Sequence, residues 1–441
     1  MIRLVDADNL PATQSEHWSL TPDRPEQRKD IRKLVFFFFR EGPRQTFSKV
    51  LARLNKQKHL DSSITAWRGN KLNAISYDGG RSYYISNIPK ESWASPFSYD
   101  SLANPATIAG VKKTSSNKTS LYFVGYGNYA QTYTQTLRKF CQTRMFVDFN
   151  QQIIQAFKHK FDYVSHSFSE LIAVWKEDSR PAAVIASYHS DHAQQAYALW
   201  SSQPEGFIFI EKPPLVDYKD IRLFREMYAA GANLQIGFNR RYSPLVNIVK
   251  DHLTPGEPVI MNISVNEVRI SKNHWYFWPN QGTRITGNAC HWIDLCQYYI
   301  NQKPIKITIT SSTVSPDDCV LVISYIDGSL AVISLTDKGN DLRGVQESIE
   351  VKQANNTYRL EDMIRLVIDQ PGKSRKIHRR VIRDKGHKRM YEAFAHDVMQ
   401  GTIANQYPLA DLEIVSKLTY EFSKMLMDEI TEHTSPMDSA Q

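Results

Sequence analysis

The sequence predicts an α/β protein. A Rossmann-type doubly wound parallel sheet is followed by an α+β domain with a mainly antiparallel sheet, and an N-terminal extension precedes both. Three observations predict it. Between 119 and 238, short apolar runs alternate with helix-length segments, the rhythm of parallel βαβ units. The first run leads into Gly125, Gly127 and Ala130, a G-x-G-x-x-A spacing of the kind that meets a dinucleotide phosphate. After about 239 the rhythm changes to paired strands around Asp327-Gly328 and Asn355-Asn356, which are hairpin signals. The domains that follow are 1–117 for the extension, 118–238 for the nucleotide domain and 239–435 for the second domain.

In the extension, Leu34–Phe39 reads as a strand, and Phe47, Val50, Leu51 and Leu54 mark an amphipathic helix. An aromatic stretch, Tyr83-Tyr84-Ile85, comes next, and residues 101–120 have the small, polar composition of a linker. No chemistry is legible before that linker. Ser120–Val124 is then an apolar run of the kind buried in a parallel sheet. Gly125 allows a tight turn, and Gly127 lets backbone N–H groups near Asn128 and Tyr129 approach a pyrophosphate. Ala130 is small enough for the next helix to pack closely. Ala130, Tyr133, Leu137 and Phe140 recur at helical intervals, so a helix through Phe140 is expected, its N-terminus open to an anion.

Thr143–Val147 is the second strand and ends in Asp148, placed to accept from a ribose 2′-hydroxyl. A carboxylate there argues for NAD over NADP, because it would repel a 2′-phosphate; Lys158 and Lys160 keep NADP open. Further strands are expected at Ala182–Ala186, Gly206–Ile210 and Leu234–Phe238, with helices at His192–Trp200 and Tyr218–Ala230. In the second domain the strands are Pro258–Ser264, Cys319–Tyr325, Leu330–Leu335, Ser348–Lys352 and Thr357–Leu360. Two late helices, Lys388–Gln400 with Gly401 at its end and Leu412–Ile430, carry apolar stripes that read as core.

The 441 residues are enough for two or three domains with substantial cores. No apolar run reaches the length of a membrane span. No secretory signal is evident at the N-terminus, and Cys141, Cys290, Cys296 and Cys319 show no C-x-x-C spacing. The expectation is a cytoplasmic protein without a structural zinc or other metal. The net charge is +8, and residues 373–389 carry nine Lys or Arg against one Asp. That segment is either a solvated basic strand or an electrostatic attractor for an anionic substrate. Without interleaved aromatics it does not read as a nucleic-acid site.

Two places carry candidate chemistry. Glu211-Lys212-Pro213 closes the run Gly206–Ile210, on the carboxyl side of the sheet where such folds bind ligands, and a lysine there can exchange a proton with a substrate hydroxyl. Asn288, His291 and Asp294 lie at the start of an apolar helix after Gly282 and Gly287. His291 is suited to proton transfer near neutrality, whereas Asp294 fits an orienting or capping role.

The ordered set YFVGYGNYAQT, VDFN, VIASYHSDHAQQA, FIEKPP, IGFNRRYSP, GNACHWIDL, YIDGSLAVISL and DKGHKRMYEAF resembles the Gfo/Idh/MocA family, the glucose-fructose oxidoreductase and inositol dehydrogenase group. The resemblance runs from about 119 to 430. It implies that Lys212 stands near the nicotinamide and assists proton transfer, and that His291 contacts the reacting hydroxyl. It places Ser187, His189 and His192 near the cofactor together with Glu211 and Asn239, and Arg240 and Arg241 at the entry to the substrate domain. The block HWYFWPNQGTRITGNACHWID resembles members that accompany polysaccharide and nucleotide-sugar genes. Some of those carry a medium-chain dehydrogenase-like half before this one, for which residues 1–117 are too short.

The implied activity is transfer of a hydride between NAD(P) and a hydroxyl of a sugar or nucleotide-sugar. Association through the open face of the second sheet, giving a homo-oligomer, is implied as well. One departure stands out: where family members place an Asp or a Glu before the motif histidine, this chain has Gly287 and Asn288. It keeps two alternatives open, a nucleotide-binding partner without turnover and a reductase of an imine-type substrate.

Overall fold

The computed structural model describes residues 118–148, 151–165, 167–268, 281–312, 315, 318–338, 344–404 and 406–434, together with the backbone of five strands nearer the N-terminus. Those five are β1 (Arg3–Asp6), β2 (Glu16–Leu20), β3 (Ile64–Gly69), β4 (Leu72–Tyr77) and β5 (Arg81–Ser86). They form one antiparallel sheet in the order β1-β5-β4-β3-β2. β5 contains the aromatic stretch Tyr83–Ile85. The strand expected at Leu34–Phe39, the helix near Phe47 and the linker before 118 lie outside the described residues.

The second sheet is parallel throughout. Its strands are β6 (Ser120–Val124), β7 (Gln142–Val147), β8 (Tyr163–Ser165), β9 (Ala182–Ile185), β10 (Phe207–Ile210) and β11 (Asn233–Ile236). The order β11-β10-β9-β6-β7-β8 reverses direction at the β6/β9 pair, the topological switch point where doubly wound sheets open a crevice beyond their carboxyl ends. The central strands read as continuous apolar runs because both faces are covered: Leu121–Val124 and Phe207–Ile210 are buried at every position.

One face packs under α3 (Phe168–Trp175), α4 (His192–Ser202) and α5 (Ile221–Ala229), through Trp175, Ala196, Leu199 and Phe224. On the other lie α1 (Asn128–Tyr133) and α2 (Gln151–Phe157) and, unexpectedly, α8 (His387–Gln400) from the C-terminal part of the chain. Met390, Tyr391, Phe394 and Val398 of α8 are buried with Phe209 and Val184. The apolar stripe seen in the sequence is therefore core, but core of the first domain.

The third sheet holds β12 (Val259–Asn266), β13 (Pro304–Ser311), β14 (Cys319–Tyr325), β15 (Leu330–Thr336), β16 (Gln346–Gln353), β17 (Asn356–Glu361), β18 (Arg365–Asp369) and β19 (Lys376–Arg379). Its order is β13-β14-β15-β12-β16-β17-β18-β19, antiparallel except for the β12–β15 pair. β12 alternates buried and exposed side chains, so one face is core and the other open. α6 (Pro244–His252), α7 (Cys290–Ile300) and α9 (Leu409–Thr434) cover the core face. Both hairpins expected from the turn residues form, with Gly328 and Ala354 at positive φ. Among the described residues no helix is long and apolar enough to cross a membrane.

Candidate active site

The crevice is assembled first by the glycine turn. Gly125 adopts φ +82, and a Cβ on it would lie 2.6 Å from the Ala186 carbonyl oxygen; only glycine lets the end of β6 pass this close to the loop after β9. A Cβ on Gly127 would instead meet nothing within 4 Å, so that side of the turn is open. α1 is six residues long and tightens into a 3₁₀ turn over Thr134–Lys139, shorter than the helix expected through Phe140. The Thr134 hydroxyl donates back to the Ala130 carbonyl at this point, a competing local bond of the kind hydroxyl residues make in helices.

Asp148 is buried at the end of β7, and its carboxylate accepts the Tyr126 backbone N–H at 2.8 Å. It thereby ties the second strand to the glycine turn. An open phosphate side, a buried acid about one strand away and a switch point together fit a dinucleotide.

Beyond β10, Glu211 is buried, and its carboxyl accepts from the Tyr391 hydroxyl of α8. Burial pushes it up to about 7, opposed by Tyr391, Lys212 and Tyr129. Lys212 reaches across to the second domain and donates to the Gly287 carbonyl at 2.8 Å. His192 spans the two loops that flank it, with Nδ1 2.8 Å from the Pro213 carbonyl and Nε2 3.3 Å from that of Ser187. Burial pushes this histidine down to about 4, so it ties the loops as a neutral ring. Ser187 bonds Gln195, and the His189 N–H donates to Gln281.

The second domain closes the crevice with a π-helical turn, Ile285–Ala289, directly before α7. Such turns shift the backbone pairing by one residue and recur at functional sites; here it presents the Gly287 carbonyl to Lys212. His291, in the first turn of α7, is 8 % exposed, and its Nδ1 has no hydrogen-bond partner among the described residues. Burial and the charges of Arg240, Lys212 and Lys385 hold it well below the usual imidazole range.

Asn288 donates to Glu267 at 2.8 Å, and Arg284 pairs with the same carboxylate oxygen at 3.3 Å. Glu267 follows β12 and is raised by burial, against the pull of Arg284 and Lys212. The carboxylate missing from the helix thus arrives from a strand. Sequence reasoning passed over Glu267; the available signal was a lone acid ending the alternating run VIMNISVNE.

Lys385 and His387 were also missed, hidden inside the basic segment. The structure divides that segment. Toward solvent, Arg375 pairs with Asp369, which also takes Arg359 of β17, and Arg380 and Arg389 pair with Asp384. Lys385 turns inward to Glu347 at 3.0 Å. Gly386 makes this possible: at φ +90, a Cβ on it would lie 2.1 Å from the Asn239 carbonyl oxygen. Asn239 in turn donates its amide to the Lys385 carbonyl at 2.6 Å.

Arg240 bonds Glu347 at 2.8 Å and lies 4.5 Å over the Trp292 ring. Trp292 donates to the same carboxylate at 2.7 Å. Arg241 and Asp294 face each other at 2.7 Å in a network with Asp411 and Tyr407, and Asp294 is fully buried. Their charges are met by protein groups. The structure thus brings Lys212, Glu211, Asn288, His291, Asn239 and Arg240 together around the crevice, and sets Arg241 and Asp294 behind it.

No family model matches the sequence, and no curated protein matches it. Solved structures do match. A probable dehydrogenase from Thermotoga maritima is 19 % identical, with a TM-score of 0.57 over 70 % of this chain and 97 % of its own. Levoglucosan dehydrogenase bound to NADH and levoglucosan is 15 % identical, with a TM-score of 0.58 over 72 % and 98 %. UDP-N-acetylglucosamine 3-dehydrogenase from Acidithiobacillus ferrooxidans is 14 % identical, with a TM-score of 0.58 over 71 % and 99 %. From the parallel sheet onward the chain has the two-domain fold of these dehydrogenases, the Gfo/Idh/MocA-type fold that the motif set implied.

Proposed function

We propose that the protein is an NAD(P)-dependent dehydrogenase acting on a hydroxyl of a sugar or nucleotide-sugar. The observation that carries the reading is the convergence of Lys212 from the first domain with the π-turn and His291 from the second, at the carboxyl end of the parallel sheet. The named substrates of the structural neighbours, levoglucosan and UDP-N-acetylglucosamine, support the substrate class. A nicotinamide dinucleotide would lie along Gly125, Gly127 and Asp148 and would supply the hydride acceptor or donor.

The remaining steps belong to side chains. Lys212, anchored by the Gly287 carbonyl, exchanges the proton of the reacting hydroxyl through Nζ. His291 is uncharged at neutral pH, and its unpartnered Nδ1 is free to hydrogen-bond that hydroxyl. Glu267 balances part of the local positive charge and holds Asn288. The site therefore keeps a carboxylate despite Gly287 and Asn288, which favours turnover over mere binding.

Titration with NADH and NADPH, followed by fluorescence, tests the first half of this reading, and a sugar panel assayed at 340 nm the second. Saturable binding with NADH preferred, and reduction of NAD⁺ by a sugar that is lost in Lys212→Met, is the expected result. Absence of binding by either nucleotide would overturn it.

A further inference from the structure

Among the described residues, positive charges around His291 outnumber negative ones. Lys212, Arg240, Arg284 and Lys385 are four cations among those residues, set against three carboxyl groups, Glu211, Glu267 and Glu347, of which Glu211 holds its proton up to about 7. Glu347 is already divided between Arg240, Trp292 and Lys385. Glu267 holds Arg284 and Asn288 through a single oxygen, Oε2. Lys212 makes its hydrogen bond to the neutral Gly287 carbonyl and meets the carboxyl groups of Glu211 and Glu267 through space, without an ion pair to either among the described residues. Lys385 donates to the Val345 carbonyl at 2.9 Å and lies 3.0 Å from Glu347 Oε1, and an ammonium has three donors. A neutral sugar would leave this excess uncompensated in a poorly solvated place, where unpaired charge is costly.

Resting on the function proposed above, we propose that the substrate carries an anionic group, a carboxylate or a phosphate, beside the hydroxyl that reacts, and that Lys385 receives it. His387 stands next to it, 6.2 Å from the Tyr129 ring and under the charge of Lys385. His291 and His387 are both neutral in this positive field. An anion bound between them would raise both midpoints, so the two imidazoles are reporters that need no turnover.

The test uses the full chain, with and without NADH, and follows the His291 and His387 imidazole resonances, assigned with His291→Asn and His387→Asn variants. The probes are D-glucuronate, D-glucose 6-phosphate and D-glucose at matched ionic strength. At least one anionic sugar is expected to bind roughly tenfold or more tighter than glucose, the range of one charge-assisted hydrogen bond. It should also move both histidines toward protonation. Which anion does so separates the carboxylate from the phosphate.

The preference should collapse in Lys385→Met and persist in Lys385→Arg. Should the Met variant not fold, the wild-type and Arg comparisons still decide. Glucose binding as tightly as both anions, no saturable shift with either anion, or an unchanged preference in folded Lys385→Met would each overturn the proposal. Failure of NADH to bind would remove the dehydrogenase reading, while the histidine shifts in the cofactor-free protein would still decide whether the site takes an anion.

Discussion

The two glycines of the β6 turn should fail in different ways when given a methyl group. At Gly125 the backbone is at φ +82, and the new Cβ would sit 2.6 Å from a carbonyl oxygen and 2.8 Å from the Ser187 Cα. The left-handed conformation alone costs an L-residue about 1–2 kcal/mol. The clash is with backbone that cannot swing aside, so Gly125→Ala should lose at least about 3 kcal/mol of stability. At Gly127 the backbone is at φ −66 and ψ −177, ordinary for alanine, with no atom within 4 Å of the new methyl. Gly127→Ala should therefore fold with stability within about 1 kcal/mol of wild type, slightly raised by the stiffer unfolded chain. Its defect should be confined to the ligand: the methyl occupies the side from which a pyrophosphate approaches, and NADH affinity should fall roughly tenfold or more, about 1.4 kcal/mol per decade. Urea unfolding and NADH fluorescence titration read the two effects separately. If Gly127→Ala bound NADH as wild type does, the open side of the turn would not be the phosphate side, and the placement of the cofactor would be refuted.

Three further outcomes follow from the site. Asp148→Ala removes both the acid at the end of β7 and the acceptor of the Tyr126 N–H. NADH affinity should drop by roughly one to two decades, more than NADPH affinity in the same titration; an equal loss for both would remove the ribose assignment. Asp294→Asn leaves Arg241 buried with Asp411 as its one ionic partner among the described residues and should cost about 3 kcal/mol in urea unfolding, with NADH affinity retained. Glu211 holds its proton up to about 7 when folded, whereas the unfolded carboxyl loses it near 4.5. Folded protein therefore binds the extra proton across that window, and stability falls as pH rises through it. The loss is about 3 kcal/mol for this group, and Glu211→Gln should flatten the curve; parallel wild-type and variant curves between pH 5 and 7.5 would show that Glu211 does not titrate there.

Much of the fold was legible because buried parallel strands announce themselves. Runs such as FIFI have no polar position to lose, and the hairpin around Asp327-Gly328 is set by a residue that must reach positive φ. β8, three residues long, carried too little pattern to be seen. α8 was seen as a helix but not as a tenant of the first domain. Its stripe records that it buries one face; the partner, Phe209 and its neighbours, lies some 180 residues away in sequence. Periodicity reports that an element packs, not against what.

The site shows the same division in its chemistry. Lys212 and His291 were legible because each closes or opens an element at a motif, and local sequence determines such positions. Glu267 and Lys385 were not, because their meaning is relational. Glu267 is one carboxylate after an ordinary strand until Asn288 and Arg284 meet it. Lys385 is one cation among nine until Gly386 folds it inward. Gly287 is instructive for the same reason. Read alone, it is an absent carboxylate, and absence suggested lost catalysis. In the fold its backbone carbonyl holds Lys212, and the negative charge is delivered two elements away. A motif position can therefore lose its acid while the site keeps the charge, provided another element ends within reach of the same lysine.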